Sequence, residues 1–356
     1  MQFKTKDNSQ SQNQILEAHA IPVVFAANDY FVPYMAAMLL SLADHASKGR
    51  QYEIIVLHRD ILGSNQAVLR ELLLPYENIR LRFVEMAPVV GDTTFFVENK
   101  DHFSPEAYYR LFIPYILPEY DKAVYLDGDM IALRDIAELY DTDISDFLIA
   151  AVRDYAGNSL YEKPLATRKK YREQELGLTN LCDYFISGTL VLNLEALRKE
   201  KTMEEMLAFA ASRNWMQHDQ DILNVLCSGK TRILDAKWNV LEDYGNNRYL
   251  PQNYYDEWLA GHRNPAIVHY GGERKPWLSL NCENGELFWR YAAKTPWLKT
   301  ILQRMNEVCI GPKESRYAIQ KQYWEGKIGF AWLVRFGLAW LKHKFTRRTK
   351  GMPPRV

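Results

Sequence analysis

Two carboxylates one residue apart, Asp127 and Asp129, close an apolar run in the stretch Ala123-Val124-Tyr125-Leu126-Asp127-Gly128-Asp129-Met130. On an extended backbone, side chains two apart point the same way, so both carboxylates can converge on one cation. Hard oxygen ligands in this number suit Mg²⁺ or Mn²⁺, ions that keep open positions for a substrate's phosphates. Gly128 lets the backbone bend and leaves room for a bulky anion. Asp-Gly is also a common turn, so this motif needs support from elsewhere in the chain.

The elements that would position the pair are legible on either side. The apolar residues before Asp127 read as a buried parallel strand, and the carboxylates then fall where open α/β sheets bind ligands. Upstream, Ile21-Pro22-Val23-Val24-Phe25-Ala26-Ala27 reads as a first strand, Tyr52-Glu53-Ile54-Ile55-Val56-Leu57 as a second and Ile79-Arg80-Leu81-Arg82-Phe83-Val84 as a third. Helical patterns separate them at 32–42 and 65–74, and a helix around 106–113 leads to the strand before Asp127. Downstream, strands are expected at 147–152 and 189–194, a helix at 195–212, a helix with an acidic first turn at 218–226, and a short strand and turn at 267–272. Residues 156–180 read as a loop with one helix. The alternation predicts an α/β fold, a mostly parallel sheet with helices on both faces.

Length and composition bound the rest. The 356 residues suffice for a large core in one or two domains. With 44 basic and 44 acidic residues there is no global signature of nucleic-acid binding. The four cysteines, Cys182, Cys227, Cys282 and Cys309, form no close pair, which fits a reducing compartment. The first twenty residues are polar, lack the apolar core of a signal peptide and read as a mobile tail. The segment 328–341 is mostly apolar but too short to span a bilayer. It carries Trp332 and Trp340 and is followed by Lys342, His343, Lys344, Arg347, Arg348 and Lys350. Tryptophans flanked by cations suit a segment lying on an anionic lipid surface, with a packed helix as the plain alternative. The expected organisation is a tail at 1–20, a catalytic domain at 21–280 and a helical, aromatic and basic extension at 281–356.

Five segments stand in one order: Phe25-Ala26-Ala27-Asn28-Asp29-Tyr30, Tyr108-Tyr109-Arg110-Leu111 before Asp127-Gly128-Asp129, Phe185-Ile186-Ser187-Gly188, His218-Asp219-Gln220-Asp221, and His269-Tyr270-Gly271-Gly272 with Lys275-Pro276-Trp277. In this order and spacing the chain resembles glycosyltransferase family 8 over roughly residues 21–280. The resemblance implies a GT-A, Rossmann-like fold, a divalent metal, a UDP-sugar donor and transfer with retention at the anomeric carbon. It implies that Asp127, Asp129 and His269 hold the metal, Mn²⁺ as the family's usual ion, with Mg²⁺ the alternative. Ala26, Asn28 and Tyr34 match positions lining the uridine pocket; Arg110 and Lys275 resemble cations facing the diphosphate; Gly271 and Gly272 would offer backbone N–H groups to phosphate oxygens. Asp154, Asp219 and Gln220 resemble residues facing the donor sugar, Gln220 on the β-face of its anomeric carbon.

Two departures stand out. Ile186 occupies a position where the family usually has Asn, which bears on donor identity, and Asn28 stands where bacterial members often have Asp. The implied activity is transfer of galactose or glucose from UDP to a cell-surface glycan such as lipopolysaccharide, at the cytoplasmic face of the membrane. Two other readings compete. A sugar-phosphate nucleotidyltransferase would carry a glycine-rich basic loop after the first strand, and residues 25–31 contain no glycine. A non-catalytic UDP-sugar or glycan binder would not need Asp127, Asp129, His269 and Gln220 together.

Overall fold

A computed structural model of the protein describes residues 20–91, 93, 95, 105–155, 166–242, 250–272, 274–279 and 281–307. The chain divides into two compact units, residues 1–298 and 299–356. The tail expected at 1–20, apart from residue 20, and the basic segment after 308 lie outside the described residues.

The strands are β1 (Ile21–Ala26), β2 (Tyr52–His58), β3 (Ile79–Glu85), β4 (Lys122–Leu126), β5 (Met130–Ala132), β6 (Ile149–Arg153), β7 (Phe185–Asn193), β8 (Thr231–Ile233), β9 (Val240–Leu241) and β10 (Ile267–His269). Seven of them form one sheet in the order β3-β2-β1-β4-β7-β6-β8. β1, β2, β3 and β4 pair in parallel. β7 runs antiparallel to both β4 and β6, while β6 and β8 are parallel. The sheet is therefore mostly parallel with one reversed strand. Chain order leaves β1 toward β2 on one side and returns to β4 on the other, which makes the β1/β4 boundary the switch point where α/β sheets bind ligands.

Two hydrophobic clusters cover the sheet's faces because alternate residues of each buried strand point to opposite sides. Val23, Phe25, Val124 and Leu126 belong to one cluster; Val24, Ile55, Tyr125 and Leu190 belong to the other. Helix α1 (Val32–His45) is buried from Val32 through Ala43. A helix apolar on all sides must be covered on all sides, and α1 packs against β5 and against the helix Gly285–Ala292.

Several details differ from the sequence expectation, each for a local reason. Residues 105–112 form a 3₁₀-helix, followed by one short α-helical turn over Ile113–Ile116. The single helix expected over 195–212 is two, Leu194–Glu200 and Met203–Ala210, because Thr202 and Glu205 build a capping box that starts a new helix. The helix expected within 156–180 is described over 166–170 and continues as a π-helix at Tyr171–Glu175, while 156–165 lie outside the described residues. A second sheet, β5-β10-β9, was not foreseen. β10 falls in the short strand expected at 267–272, but β5 and β9 are only two or three residues long, too short for periodicity to register. Helix α2 (Gln252–Arg263) was also missed, and Gly261 lets it press on the turn before β9: a Cβ there would lie 2.7 Å from the Ala236 backbone. Among the described residues no helix is long and apolar enough to cross a membrane.

Candidate functional site

The strand β4 ends at Leu126, and Asp127 and Asp129 follow at the switch point. The reversed strand β7 brings its first residues to the same edge, and the Asp127 N–H donates to the Gly188 carbonyl at 2.9 Å. The small sheet supplies the histidine. β10 pairs antiparallel with β5 so that His269 stands opposite Met130, and the Tyr270 N–H donates to the Asp129 carbonyl at 2.9 Å. Register thus sets His269 beside a carboxylate 140 positions earlier.

The ligand-type atoms of Asp127, Asp129 and His269 all lie within 4.8 Å of one another. His269 Nε2 is 3.2 Å from Asp129 Oδ1 and 3.8 Å from Asp127 Oδ2. The ring's other nitrogen, Nδ1, is 2.9 Å from Asn239 Oδ1. Nε2 is therefore the atom turned to the carboxylates. Two oxygens and one imidazole nitrogen suit a divalent cation. The backbone is bare where these groups meet: a Cβ on Gly188 would lie 2.7 Å from Asp127 Oδ2 and 2.8 Å from His269 Cε1.

A buried cation organises the anions. Arg110 Nη2 donates to Asp127 Oδ1 at 2.9 Å, and Nη1 donates to the Ser187 carbonyl and hydroxyl oxygens at 2.7 and 3.0 Å. Nε donates to the Ala107 carbonyl and lies 3.2 Å from Asp219 Oδ2. Burial alone would lower the Arg110 pKa, but Asp127 and Asp219 outweigh it and hold the guanidinium charged, above its ordinary value. Burial raises the Asp219 carboxyl, opposed by Arg110 and by the Ser187 hydroxyl, which donates to it at 2.7 Å. Asp129 is half-buried, which would raise it, yet Lys275 and His269 bring it well below the usual carboxylate range.

Asp219 and Gln220 open the helix Asp219–Leu226. His218 before them has φ 50°, a strained conformation for a non-glycine residue. The turn is over-determined: Asp221 accepts from Tyr184 and Tyr171 hydroxyls and from the Gln217 N–H. Gln220 Oε1 accepts from the Ser187 N–H at 3.2 Å. One residue, Ser187, consequently contacts Arg110, Asp219 and Gln220 at once.

A family model described as glycosyl transferase family 8 matches residues 22–281. The chain belongs to that family. It is 27% identical over 290 residues to general stress protein A of Bacillus subtilis (strain 168), covering 77% of this chain and 94% of the relative. It is 28% identical over 174 residues to the lipopolysaccharide 1,2-glucosyltransferase of Escherichia coli (strain K12), covering 48% of each. Among solved structures, the bifunctional glycosyltransferase WbbM in its apo form superposes with TM-score 0.71 at 29% identity, over 80% of this chain and 52% of that one. The chain thus spans about half the length of WbbM. The galactosyltransferase LgtC, solved with donor and acceptor sugar analogues, superposes with TM-score 0.63 at 25% identity, over 78% of this chain and 96% of that one. This family 8 member therefore has a GT-A fold and is a glycosyltransferase. Enzymes of that fold use nucleotide-sugar donors and usually a divalent metal, and the Asp-Asp-His cluster is in place.

Within the family 8 framework, the other sequence-derived residues take definite places. Lys275 Nζ, expected to face a diphosphate, donates to Asp129 Oδ2 and to the Tyr270 carbonyl. Arg110, expected there too, has four of its five N–H groups on protein acceptors. Asn28 caps the turn after β1, its Oδ1 accepting from the Phe31 N–H, and its Nδ2 lies 3.4 Å from Glu106. Ala26 is half-buried at the end of β1. Tyr34 is buried and stacked on Trp277, ring centroids 4.3 Å apart. The bare side of Gly128, expected to admit an anion, is filled by Phe31 and Met35. Gly272 has φ 82° in an exposed turn, and Gly271 presses on Leu241 and His269. Asp154 is buried and paired with Arg172 at 3.2 Å, so it stands in a neighbouring cluster with Arg172 over the Tyr184 ring. Ile186 packs against the core. Ser187, Gly188 and Asn239 were not singled out from sequence. The first two lie inside a motif already noted; nothing in sequence marked Asn239.

Proposed function

We propose that the protein transfers a hexose, galactose or glucose, from a UDP-sugar to a cell-surface glycan or glycolipid acceptor such as lipopolysaccharide, with retention and hence an α-linked product. One observation carries the reading: Asp127, Asp129 and His269 converge at the β1/β4 switch point beside Asp219 and Gln220. A divalent ion held by those three groups, Mn²⁺ by the chemistry of the donor set, would neutralise charge growing on the departing UDP. Lys275 and the N–H groups near Gly271 and Gly272 would add to that stabilisation once a diphosphate competes for them. Asp219, tied to Arg110 and Ser187, would accept from sugar hydroxyls. Gln220 is a poor nucleophile, and its oxygen already accepts from Ser187. That favours front-face displacement, in which the departing phosphate oxygen takes the acceptor's proton. On the sequence evidence the site of action is the cytoplasmic face of the membrane, with the basic C-terminal segment as a peripheral anchor.

The test is UDP release from UDP-galactose and UDP-glucose with Mn²⁺, Mg²⁺ or chelator, followed by isolation of a product on a glycan acceptor. Mn²⁺-dependent release and an anomeric coupling typical of an α-linkage are expected. A β-linked product would place the chemistry in an inverting class and remove the roles assigned to Asp219 and Gln220.

A further inference from the structure

His269 presents Nε2 to the two carboxylates, and an imidazole nitrogen binds a metal only through a free lone pair. Which nitrogen carries the proton is therefore decisive, and it is set by what faces Nδ1. Here that is the side chain of Asn239, whose amide can turn either end to the ring.

The hydrogen bonds around Asn239 leave one solution. The Trp238 backbone carbonyl can only accept, and Thr189 Oγ1 lies 3.1 Å from it and 3.8 Å from Met130 Sδ, so the Thr189 hydroxyl gives its proton away from Asn239. Its oxygen then has only lone pairs left. Asn239 Nδ2 lies 3.2 Å from that oxygen and donates to it. The amide's other end, Oδ1, is thereby turned to His269 Nδ1 at 2.9 Å and must receive an N–H. Nδ1 carries a proton, so Nε2, 3.2 Å from Asp129 Oδ1, is the nitrogen whose lone pair a metal ion would take. Asn239 and Thr189 are 5% and 0% exposed, so water does not compete with this chain. Thr189 also follows Gly188, whose carbonyl holds the Asp127 N–H, and stands opposite Leu126 in the β4/β7 ladder. One reversed strand sets both the Asp127 backbone and the His269 ring.

We propose that Asn239 and Thr189 are positioning residues that fix the His269 tautomer through a one-way relay ending on the Trp238 carbonyl, and so set the metal affinity of the site. The inference rests on the metal reading of Asp127, Asp129 and His269. Neither residue touches substrate or ion. Partners of this kind cost roughly 10–100-fold in metal affinity when removed.

The experiment is Mn²⁺ titration by electron paramagnetic resonance or calorimetry on the full chain, without donor or acceptor. N239L, which fills the space but offers no acceptor, should bind Mn²⁺ roughly 10–100-fold more weakly. N239D keeps an acceptor for Nδ1–H and should restore affinity to near wild type; a purely structural amide would not be rescued by a buried charge. T189V removes the acceptor that orients Asn239 and should fall between. Independently of any folding defect, ¹⁵N spectra of histidine-labelled, chelator-treated wild type, with the His269 signal assigned by its loss in H269Q, should show Nδ1 protonated. An unprotonated Nδ1 would overturn the proposal, as would N239L binding Mn²⁺ as tightly as wild type. Wild type that binds no Mn²⁺ would remove the metal reading itself and this inference with it; wild-type binding with unaltered N239L removes only the inference.

Discussion

Charge bookkeeping at single residues explains why the site is built around Arg110. Asp127, Asp129 and Asp219 gather within a small, partly buried volume, and like charges there repel. Arg110 pairs with two of them and Lys275 with the third. Breaking a buried pair by removing one partner typically costs 3–5 kcal/mol, because the other charge stays buried. R110M should therefore lower the unfolding free energy by about 3–5 kcal/mol in urea titrations; a loss under about 1 kcal/mol would mean that the network is solvated. The residues proposed as metal ligands behave differently. D129N keeps the shape but removes the charge that Lys275 and His269 hold ionised. Its Mn²⁺ affinity should fall by at least the roughly 100-fold that outer partners alone can cost, measured by calorimetry. Retained affinity would take Asp129 out of the ligand set.

Two glycines show how whole elements aim these residues. Gly188 lies where β7 passes the metal-ligand side chains, and an added methyl would overlap Asp127 Oδ2 and His269 Cε1. Overpacking of this kind costs about 1–3 kcal/mol. G188A should fold, since its backbone is that of an ordinary strand, but should lose Mn²⁺ affinity and turnover together. Unchanged Mn²⁺ binding in G188A would show that the ligands do not meet there. Gly261 acts at a distance. It seats α2 on the turn Ala236–Trp238, which leads directly into Asn239. Backbone atoms of Ala236 and Lys237 cannot swing aside as a side-chain tip can, so G261A should destabilise by about 1–3 kcal/mol. Because that turn carries Asn239, a weaker Mn²⁺ affinity should accompany the lower melting temperature. A melting temperature equal to wild type would contradict the contact.

At the scale of the whole molecule, the residues proposed for chemistry and the segment proposed for membrane attachment lie in separate stretches of the sequence. The motifs proposed to hold the metal and face the sugar all lie before residue 281, inside the family match, whereas the aromatic and basic segment follows residue 321. Deleting 321–356 should release the protein from anionic vesicles and leave turnover on a small soluble acceptor intact. Binding of the intact chain should weaken as salt rises, since each Lys or Arg near such a surface contributes roughly 1 kcal/mol. Co-sedimentation of the truncated chain with vesicles would place the membrane contact elsewhere.

What the sequence determined by itself is the run of buried parallel strands and the carboxylates that end one of them. Apolar runs punctuated by helical periods report burial directly, and spacing two along a strand reports a shared face. Strand direction carries no such signal: β7 is buried almost throughout like its neighbours, and only the assembled sheet shows it reversed. The small sheet is shorter still, yet its Met130–His269 register brings the imidazole to Asp129. Arg110 was legible as a cation near the site but not as a residue whose N–H groups are mostly spent on Ser187, Asp127 and Ala107. Asn239 was not legible at all. Its part depends on a 2.9 Å contact across 30 residues and on the direction of two further hydrogen bonds. Local pattern encodes what a residue is and which way its strand faces; which distant atoms it meets is decided only when the sheets close.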